Sequence, residues 1–217
     1  PTLRAQSAAE KFYNSNFAGW DELATAVQEE LERLPEGTPL LAGNFKIGAE
    51  LGFAFNDPQI EVLDHPLNHK HGRAPQLRLW NLENDGRRER PALLVVGHGD
   101  VQYKSLLQHY HQLCEKLGPL PPPRVVNVDH GWQRFLLFAL PAEKAPGSCV
   151  APAFAWIDTP ASKAQVGRDF AVQGWAFKDG VGLQGVEVLL DGRVVGKADY
   201  GSSSPGTAAY WQLSNDP

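Results

Sequence analysis

Residues 43–80, GNFKIGAELGFAFNDPQIEVLDHPLNHKHGRAPQLRLW, decide how the rest of the chain is interpreted. A short apolar run at 39–42 precedes them and predicts a buried strand. Asn44 can cap a helix over 45–55, which is followed by a second strand and then by a segment at 64–75 that is rich in polar residues. Because α/β folds place binding groups where such strands end, this polar segment is the first candidate for a functional site.

The sequence on both sides of this stretch predicts a three-layer α/β domain over residues 1–145. An amphipathic helix is expected at 21–34, and the run PALLVVG at 91–97 predicts a central strand because it is apolar on both faces. Asp100 is placed to cap a further helix that ends at Gly118. Three more strands are predicted from their apolar patterns: Gln76–Trp80, 125–128 and 135–140.

The last third of the chain predicts a second, all-β domain at 153–217. A linker rich in small residues and proline is expected at 146–152, and beyond it the apolar period becomes two. Four strands follow from this period: 154–158, 169–177, 186–190 and 193–198. The motifs GWAF and VEVLLDG resemble bacterial immunoglobulin-like domains. A standard sandwich needs about 100 residues, so either this domain is truncated or its strands complete their sheets in some other way.

Composition narrows the classes of function. A net charge of −5 with 21% charged residues argues against nucleic-acid binding, which normally needs a basic stripe. No apolar run approaches the roughly 18 residues that span a bilayer. There is no methionine, even at position 1, so we expect the chain to be part of a longer protein. Cys114 lies on the apolar face of a predicted helix, which favours a buried free thiol over a disulfide with Cys149.

The helix NFKIGAELGFAF and the later segment HGRAPQLRLW carry a resemblance to a known family. Together they resemble the soluble C-terminal region of bacterial membrane glycosyltransferases of the dolichyl-phosphate-mannose protein mannosyltransferase and aminoarabinose transferase type. The matching positions are Asn44, Lys46, Ala49, Glu50, Leu51, Arg73, Gln76 and Trp80. The resemblance implies a role for this chain as the part of such an enzyme that faces the periplasm from the inner membrane.

The resemblance also implies what the chain contacts. The whole enzyme would move a sugar from a polyprenyl-phosphate carrier to a glycan or other acceptor, and the chain's partners would be its own membrane-spanning part and these substrates. In that family the catalytic acidic residues lie in loops of the membrane part. We therefore assign no catalytic residue and no cofactor here, and we expect the chain alone to be inactive while it caps the membrane active site and helps to position substrate.

Seven residues are the predicted substrate contacts: Lys46, Glu50, Asn68, His71, Arg73, Gln76 and Trp80. Arg73 is expected to bind a phosphate, because its planar guanidinium matches two oxygens at once. Lys46 and Glu50 are four residues apart on a helix, so they either form a surface ion pair or hold an anionic sugar phosphate at the helix start. In the second case the N–H groups of Phe45 and Lys46 would help. Trp80 is either a platform for a sugar ring or a core residue.

The histidine-rich segment also raises the question of a metal. Asp64, His65, His69 and His71 offer ligand atoms, but zinc sites draw three or four ligands in recognisable spacings, and no CxxC or HExxH is present. A polar loop that hydrogen-bonds itself, or that faces a sugar or lipid head group, is favoured. No metal is predicted.

Two alternatives belong to other classes of function. In the first, the chain is a polysaccharide-binding module whose β domain recognises the glycan with Trp175 and Trp211 as exposed aromatics. His98 and Asp100 follow the central strand and would suit acid and base roles in a stand-alone hydrolase. No GxSxG, GxGxxG or GxxxxGK[ST] motif supports a hydrolase of the serine type or a nucleotide-binding enzyme.

Overall fold

The structure is a computed structural model that describes residues 17–161 and 164–213. The chain divides into two compact units, Pro1–Cys149 and Val150–Pro217. The division falls inside the segment at 146–152 whose composition is typical of a linker. Among the described residues, no helix combines the length and the apolar character that crossing a bilayer requires.

Six strands form the mixed sheet of the first unit, in the spatial order β3-β2-β1-β4-β6-β5. They are β1 (Leu40–Ala42), β2 (Glu61–Leu63), β3 (Glu83–Asn84), β4 (Ala92–Gly97), β5 (Arg124–Val128) and β6 (Gln133–Leu140). The first four in this order run parallel, and β6 runs antiparallel to both β4 and β5. The chain leads from β1 outward to β2 and β3 and then returns to β4 beside β1. This arrangement makes a topological switch point between β1 and β4, where open α/β sheets commonly bind ligands.

Helices cover both faces of this sheet. They are α1 (Trp20–Leu31), α2 (Phe45–Phe55), α3 (Pro66–Lys70), α4 (Ala74–Leu79) and α5 (Leu106–Leu117). Buried residues of α1 and α2 share one core cluster with Leu93, Val95 and Leu137 of the sheet. The next residue of β6, Phe138, has its ring 6.2 Å from that of Tyr110 in α5. Because neighbouring strand residues point to opposite faces, α5 covers the other side.

Several predicted elements are confirmed. β4 is buried at all of its residues, as its doubly apolar sequence predicted. The Asn44 side chain accepts hydrogen bonds from the N–H groups of Lys46 and Ile47 and so caps α2 as expected. β5 and β6 pair antiparallel across the turn at Asp129–Gly131. The local patterns were long or specific enough in these cases to fix the element type.

The predicted strand at Gln76–Trp80 is wrong, because these residues belong to α4 and its cap. Pro75 lies in the first turn of the helix, where its fixed φ is favourable and its missing N–H is not needed. Ala74 and Leu77 are buried, whereas Leu79 is 82% exposed. The alternation of two leucines over five residues was therefore too short a signal to identify a strand. The polar segment at 64–75 likewise contains a short helix, α3.

Asp100 does not cap the long helix, as the sequence had predicted. α5 begins only at Leu106, and two short 3-10 turns, His98–Asp100 and Tyr103–Ser105, separate it from β4. The Asp100 carboxylate instead accepts a hydrogen bond from the Gly97 N–H. The helical periodicity of the apolar residues ran through the 3-10 turns, which explains why the predicted helix was too long.

Cys114 and Cys149 form a disulfide, with their Cα atoms 5.9 Å apart, so the expectation of a free thiol is wrong. The chain after β6 returns past the end of α5, where Cys114 lies. Arg88 holds these two segments together by donating to the carbonyl oxygens of Leu117, at 3.0 Å, and Pro141, at 3.2 Å. This return path depends on tertiary contacts that the spacing of the cysteines does not reveal.

The second unit contains two separate antiparallel strand pairs. They are β7 (Phe154–Thr159) with β8 (Gln173–Phe177), and β9 (Val186–Leu190) with β10 (Arg193–Ala198). Asp191 and Gly192 connect β9 and β10 with positive φ angles of 50° and 78°, which confirms the predicted tight turn. A short helix, α6 (Pro205–Trp211), was not predicted. The β-rich character is thus shown, and an immunoglobulin-like sandwich stays a prediction.

Candidate functional site

A polar network joins the carboxyl ends of β1 and β4 at the topological switch point. Asn44 Nδ2 donates to Asp100 Oδ2 at 2.6 Å, and the Gly97 N–H donates to the same oxygen at 3.0 Å. Lys46 Nζ lies 3.6 Å from Asp100 Oδ1, whose side chain is only 5% exposed. We call these four residues the switch-point network. Each of its polar groups already has a partner, so the network holds two strand ends in place.

The electrostatics of the switch-point network follow from its burial. Burial raises the pKa of Asp100, while Lys46 and the hydrogen bonds from Gly97 and Asn44 act in the opposite direction. Lys46 Nζ also lies 5.7 Å from the centre of the Trp20 ring, so its charge is shared between a carboxylate and an aromatic face. With both of its oxygens engaged and its side chain buried, the Asp100 carboxylate is poorly placed to contact a substrate.

His98 follows β4 but does not form a pair with Asp100. Burial, and then the charge of Arg134, lower the pKa of His98 to about 4. No hydrogen bond joins His98 to Asp100 in the described part of the chain. Because its pKa is about 4, the His98 ring is neutral near pH 7. This geometry does not favour the hydrolase alternative.

The backbone N–H groups at the start of α2 already have acceptors among the described residues. Asn68 Oδ1 accepts from the Phe45 N–H at 2.9 Å, and Asn68 Nδ2 donates to the Leu63 carbonyl oxygen at 2.9 Å. Asn44 Oδ1 accepts from the Lys46 N–H at 3.0 Å. The N–H groups that were expected to help bind a sugar phosphate are thus occupied. Asn68, a predicted substrate contact, is buried and connects β2 to the start of α2.

A groove with a volume of about 790 Å³ runs between α2 and α4. Its lining is mostly apolar and includes Phe45, Ala49, Leu77, Leu82 and Trp80. Gly48 and Gly52 of α2 also line the groove and, because they have no side chains, leave space in it. A Cβ atom at Gly48 would lie 2.8 Å from Val62 Cγ2, so glycine is also required for the contact between α2 and β2.

Polar residues also line this groove. They are Arg73 and Gln76 at the start of α4, and Asn56, Asp57 and Gln59 after the end of α2. The Arg73 guanidinium carbon is 6.0 Å from the centre of the Phe45 ring, at a distance where a cation and an aromatic face attract. In the described ranges, no carboxylate lies within ion-pair distance of Arg73. Its guanidinium is therefore available to an anionic ligand.

The structure separates the predicted contacts into two groups. Arg73, Gln76 and Trp80 line the groove, even though the last two lie at a helix and not on a strand. The remaining four lie elsewhere: Lys46 in the switch-point network, Asn68 at the start of α2, His71 with its ring 5.6 Å from that of Phe45, and Glu50 on α2. No ion pair joins Lys46 to Glu50 in the part of the chain that the structure describes.

Sequence reasoning missed Phe45 and the partnership of Asn44 with Asp100. Phe45 was assigned only a backbone role, although its ring contacts Arg73 and His71 and lines the groove. Asn44 and Asp100 are 56 residues apart, and no local pattern links them. Their positions after two parallel strands were the one signal that could have brought them together.

The histidine-rich segment is held by its own hydrogen bonds. His65 Nδ1 accepts from the Leu67 N–H at 3.1 Å, and Asp64 contacts His69 at 2.6 Å. The His65 ring is 3% exposed and meets the His109 ring edge to face, with 5.1 Å between centres. Burial, and then the neighbouring His109, lower the pKa of His65 to about 4. Among the described residues, no cluster of three or more His, Cys, Asp or Glu side chains is placed to hold a metal ion.

Of the two tryptophans proposed as a glycan platform, Trp211 is buried and Trp175 is half-buried. The Trp211 ring is buried and stands 5.8 Å from the Trp175 ring and 5.2 Å from the Phe154 ring. The expectation that Trp211 is exposed is wrong, because α6 packs this residue onto the aromatic face of β7 and β8. Among the described residues of the second unit, the exposed aromatic side chains are instead Trp156, Phe170, Tyr200 and Tyr210.

Comparison with known proteins adds no relative. No family model matches the chain, and no curated protein and no solved structure is found to be similar to it.

Proposed function

We propose that this chain is the extracytoplasmic portion of an integral-membrane glycosyltransferase that takes its sugar from a polyprenyl-phosphate carrier. In this role the first unit caps the membrane active site and positions the carrier or the acceptor, and it has no transferase activity alone. The second unit is proposed to be an immunoglobulin-like β domain. The proposal places both units on the periplasmic side of the inner membrane.

The convergence of Arg73, Gln76 and Trp80 on one groove carries this proposal. These positions were singled out by their residue types and by the resemblance to a family motif, and they line the same cavity although a strand was wrongly predicted for Gln76 and Trp80. A polyprenyl-phosphate sugar has an apolar chain, a phosphate and a sugar ring. The groove offers an apolar floor, a guanidinium with no carboxylate partner among the described residues, and a half-exposed indole, which suit these three parts.

The disulfide supports the proposed compartment. Disulfides persist in oxidising environments such as the bacterial periplasm and are rare in reducing ones. Cys114 and Cys149 are bonded within the first unit. An extracytoplasmic location accounts for this bond directly.

Binding of farnesyl phosphate, a short analogue of the carrier, tests the proposal by isothermal titration calorimetry. We expect the chain to bind farnesyl phosphate and to bind farnesol at least about tenfold more weakly, because a charged hydrogen bond contributes about 1.5 to 3 kcal/mol. Arg73→Gln should remove this preference, while Arg90→Gln, on the exposed tract before β4, should keep it. Equal affinity for the alcohol and the phosphate, or no binding of either, would refute the proposal.

A pair of tryptophan variants tests the position of the ligand. Trp80 is 57% exposed in the groove, and Trp156 is 51% exposed on β7 of the second unit. Trp80→Ala should weaken farnesyl phosphate binding about fivefold to tenfold because of lost apolar contact area. Trp156→Ala should leave the affinity within twofold, as a rough bound. An equal loss in both variants would show that binding does not depend on the groove.

A further inference from the structure

Exposed apolar side chains lie beside the groove on both of its helices. Leu79 and Trp80 end α4 and are 82% and 57% exposed, and both are surface neighbours of the groove-lining Gln76. Phe53 on α2 is 89% exposed and neighbours Ala49, which also lines the groove. Large apolar side chains exposed to this extent normally have a partner when they occur together.

Basic residues accompany these apolar ones. The segment at 65–82 contains Lys70, Arg73 and Arg78 but no Asp or Glu, in a chain whose net charge is −5. Lys70 and Arg73 have no carboxylate within ion-pair distance in the described ranges, and Arg78 lies 3.6 Å from Glu83. We call residues 65–82 the basic segment. The charges of Lys70 and Arg73 are therefore open to an anionic surface.

We infer that the basic segment, together with Phe53, docks on the surface of a bilayer that contains anionic lipids. Single protruding apolar side chains, a tryptophan, and Lys and Arg residues with long apolar stems are the groups that reside at the interface between lipid and water. Anionic head groups attract Lys and Arg next to them. These side chains fit a lipid surface better than a protein partner, because protein interfaces bury flatter patches with fewer charged residues.

Docking in this orientation would bring the groove to the membrane. Arg73, Gln76 and Trp80 line the groove and lie within the basic segment. A lipid-borne ligand could then enter between α2 and α4 without crossing water. The inference goes beyond the proposed function, because it requires affinity for plain phospholipids in the absence of any sugar carrier.

Co-sedimentation of the full chain with phospholipid vesicles tests the inference. We expect binding to vesicles of phosphatidylglycerol mixed with phosphatidylcholine, and much weaker binding to phosphatidylcholine alone or at high salt. Phe53→Ser with Leu79→Ser should lower the partition coefficient about tenfold. The matched control, Val194→Ser with Val195→Ser, alters exposed apolar residues of β10 and should leave it unchanged.

Charge variants test the electrostatic half of the inference. Lys70→Gln with Arg73→Gln should weaken binding to the anionic vesicles by at least about tenfold, whereas Arg87→Gln with Arg90→Gln, outside the basic segment, should not. Equal losses in both charge variants, or no vesicle binding by the unaltered chain, would overturn the inference. Self-association that Phe53→Ser with Leu79→Ser abolishes, without vesicle binding, would overturn it in favour of a protein partner. Because the vesicles hold no prenyl phosphate, these results are independent of the farnesyl phosphate test.

Discussion

The switch-point network and the groove use polar side chains in opposite ways. In the network, Asp100 is almost fully buried and contacts Asn44, Lys46 and the Gly97 N–H. In the groove, Arg73 is exposed, and it contacts the face of Phe45. The network lies where α/β sheets usually bind ligands, yet its groups are already paired. A favourable position in the topology therefore does not make a binding site when the polar groups there already have partners.

Removing the central carboxylate should give the largest effect in this comparison. Asp100→Ala leaves Lys46 and Asn44 without their partner in a buried place, so we expect the free energy of unfolding to fall by about 3 to 5 kcal/mol. Urea denaturation measures this loss. Asp100→Asn keeps an acceptor oxygen for the Gly97 N–H and should cost less, about 1 to 2 kcal/mol. A loss below about 1 kcal/mol in Asp100→Ala would show that the network does not hold the strand ends.

Acid should lower the stability of the first unit through its buried histidines. The pKa of His65 is about 4 in the folded chain against an ordinary value of 6.5. Because the folded-state pKa is the lower one, this contribution to stability is complete above pH 6.5 and is lost as the pH falls towards 4. The loss for His65 is on the order of 3 kcal/mol.

Denaturation curves at several pH values, compared between variants, measure this effect. His65→Gln should flatten the pH dependence between about 6.5 and 4, although His98 and His109, whose pKa values are also lowered, still contribute. Val194→Ser, which changes no ionisable group, is the control and should leave the profile as it is. An unchanged profile in His65→Gln would refute the assignment.

Arg73→Gln should impair ligand binding without lowering the stability of the fold. Arg73 is exposed and has no ion-pair partner among the described residues, so we expect the free energy of unfolding to change by no more than about 0.5 kcal/mol. The preference for farnesyl phosphate over farnesol should nevertheless disappear. Urea denaturation and calorimetry on the same preparation give both values. A destabilisation as large as that of Asp100→Ala would remove the contrast between the two regions.

Glu50→Gln should give the smallest effect. Glu50 was a predicted contact, but it neither lines the groove nor forms an ion pair with Lys46 in the described part of the chain. We expect changes of less than about 0.5 kcal/mol in stability and less than about twofold in farnesyl phosphate affinity. A larger loss of affinity would mean that the ligand extends past the groove along α2.

Local sequence signals predicted the parts of the fold that depend on local physics. The Asn44 cap, the helix after it and the doubly apolar β4 all follow from neighbouring residues. The local signal failed at 76–80, because two leucines on a short helix mimic the alternation of a strand. The bond between Cys114 and Cys149 and the contact of Asn44 with Asp100 depend on how the chain returns to itself, which a single sequence does not encode locally.

The candidate site was predicted in part, for a similar reason. Arg73, Gln76 and Trp80 were identified by their residue types and their resemblance to a motif, and they do line one groove. Asn68 was predicted to contact substrate because it is polar. Its side-chain amide is instead hydrogen-bonded to the Phe45 N–H and the Leu63 carbonyl oxygen. Whether a polar residue is available to a ligand depends on its hydrogen-bond partners, and these are decided by tertiary structure.

A titration followed by nuclear magnetic resonance tests whether the groove, and not the switch-point network, binds the ligand. The side-chain N–H signals of Arg73, Gln76 and Trp80 report on the groove, and the side-chain amide of Asn44 reports on the switch-point network. On addition of farnesyl phosphate we predict that the three groove signals shift together and saturate, while the Asn44 signal stays in place. Shifts at Asn44 without shifts in the groove, or no shifts at all, would contradict the account.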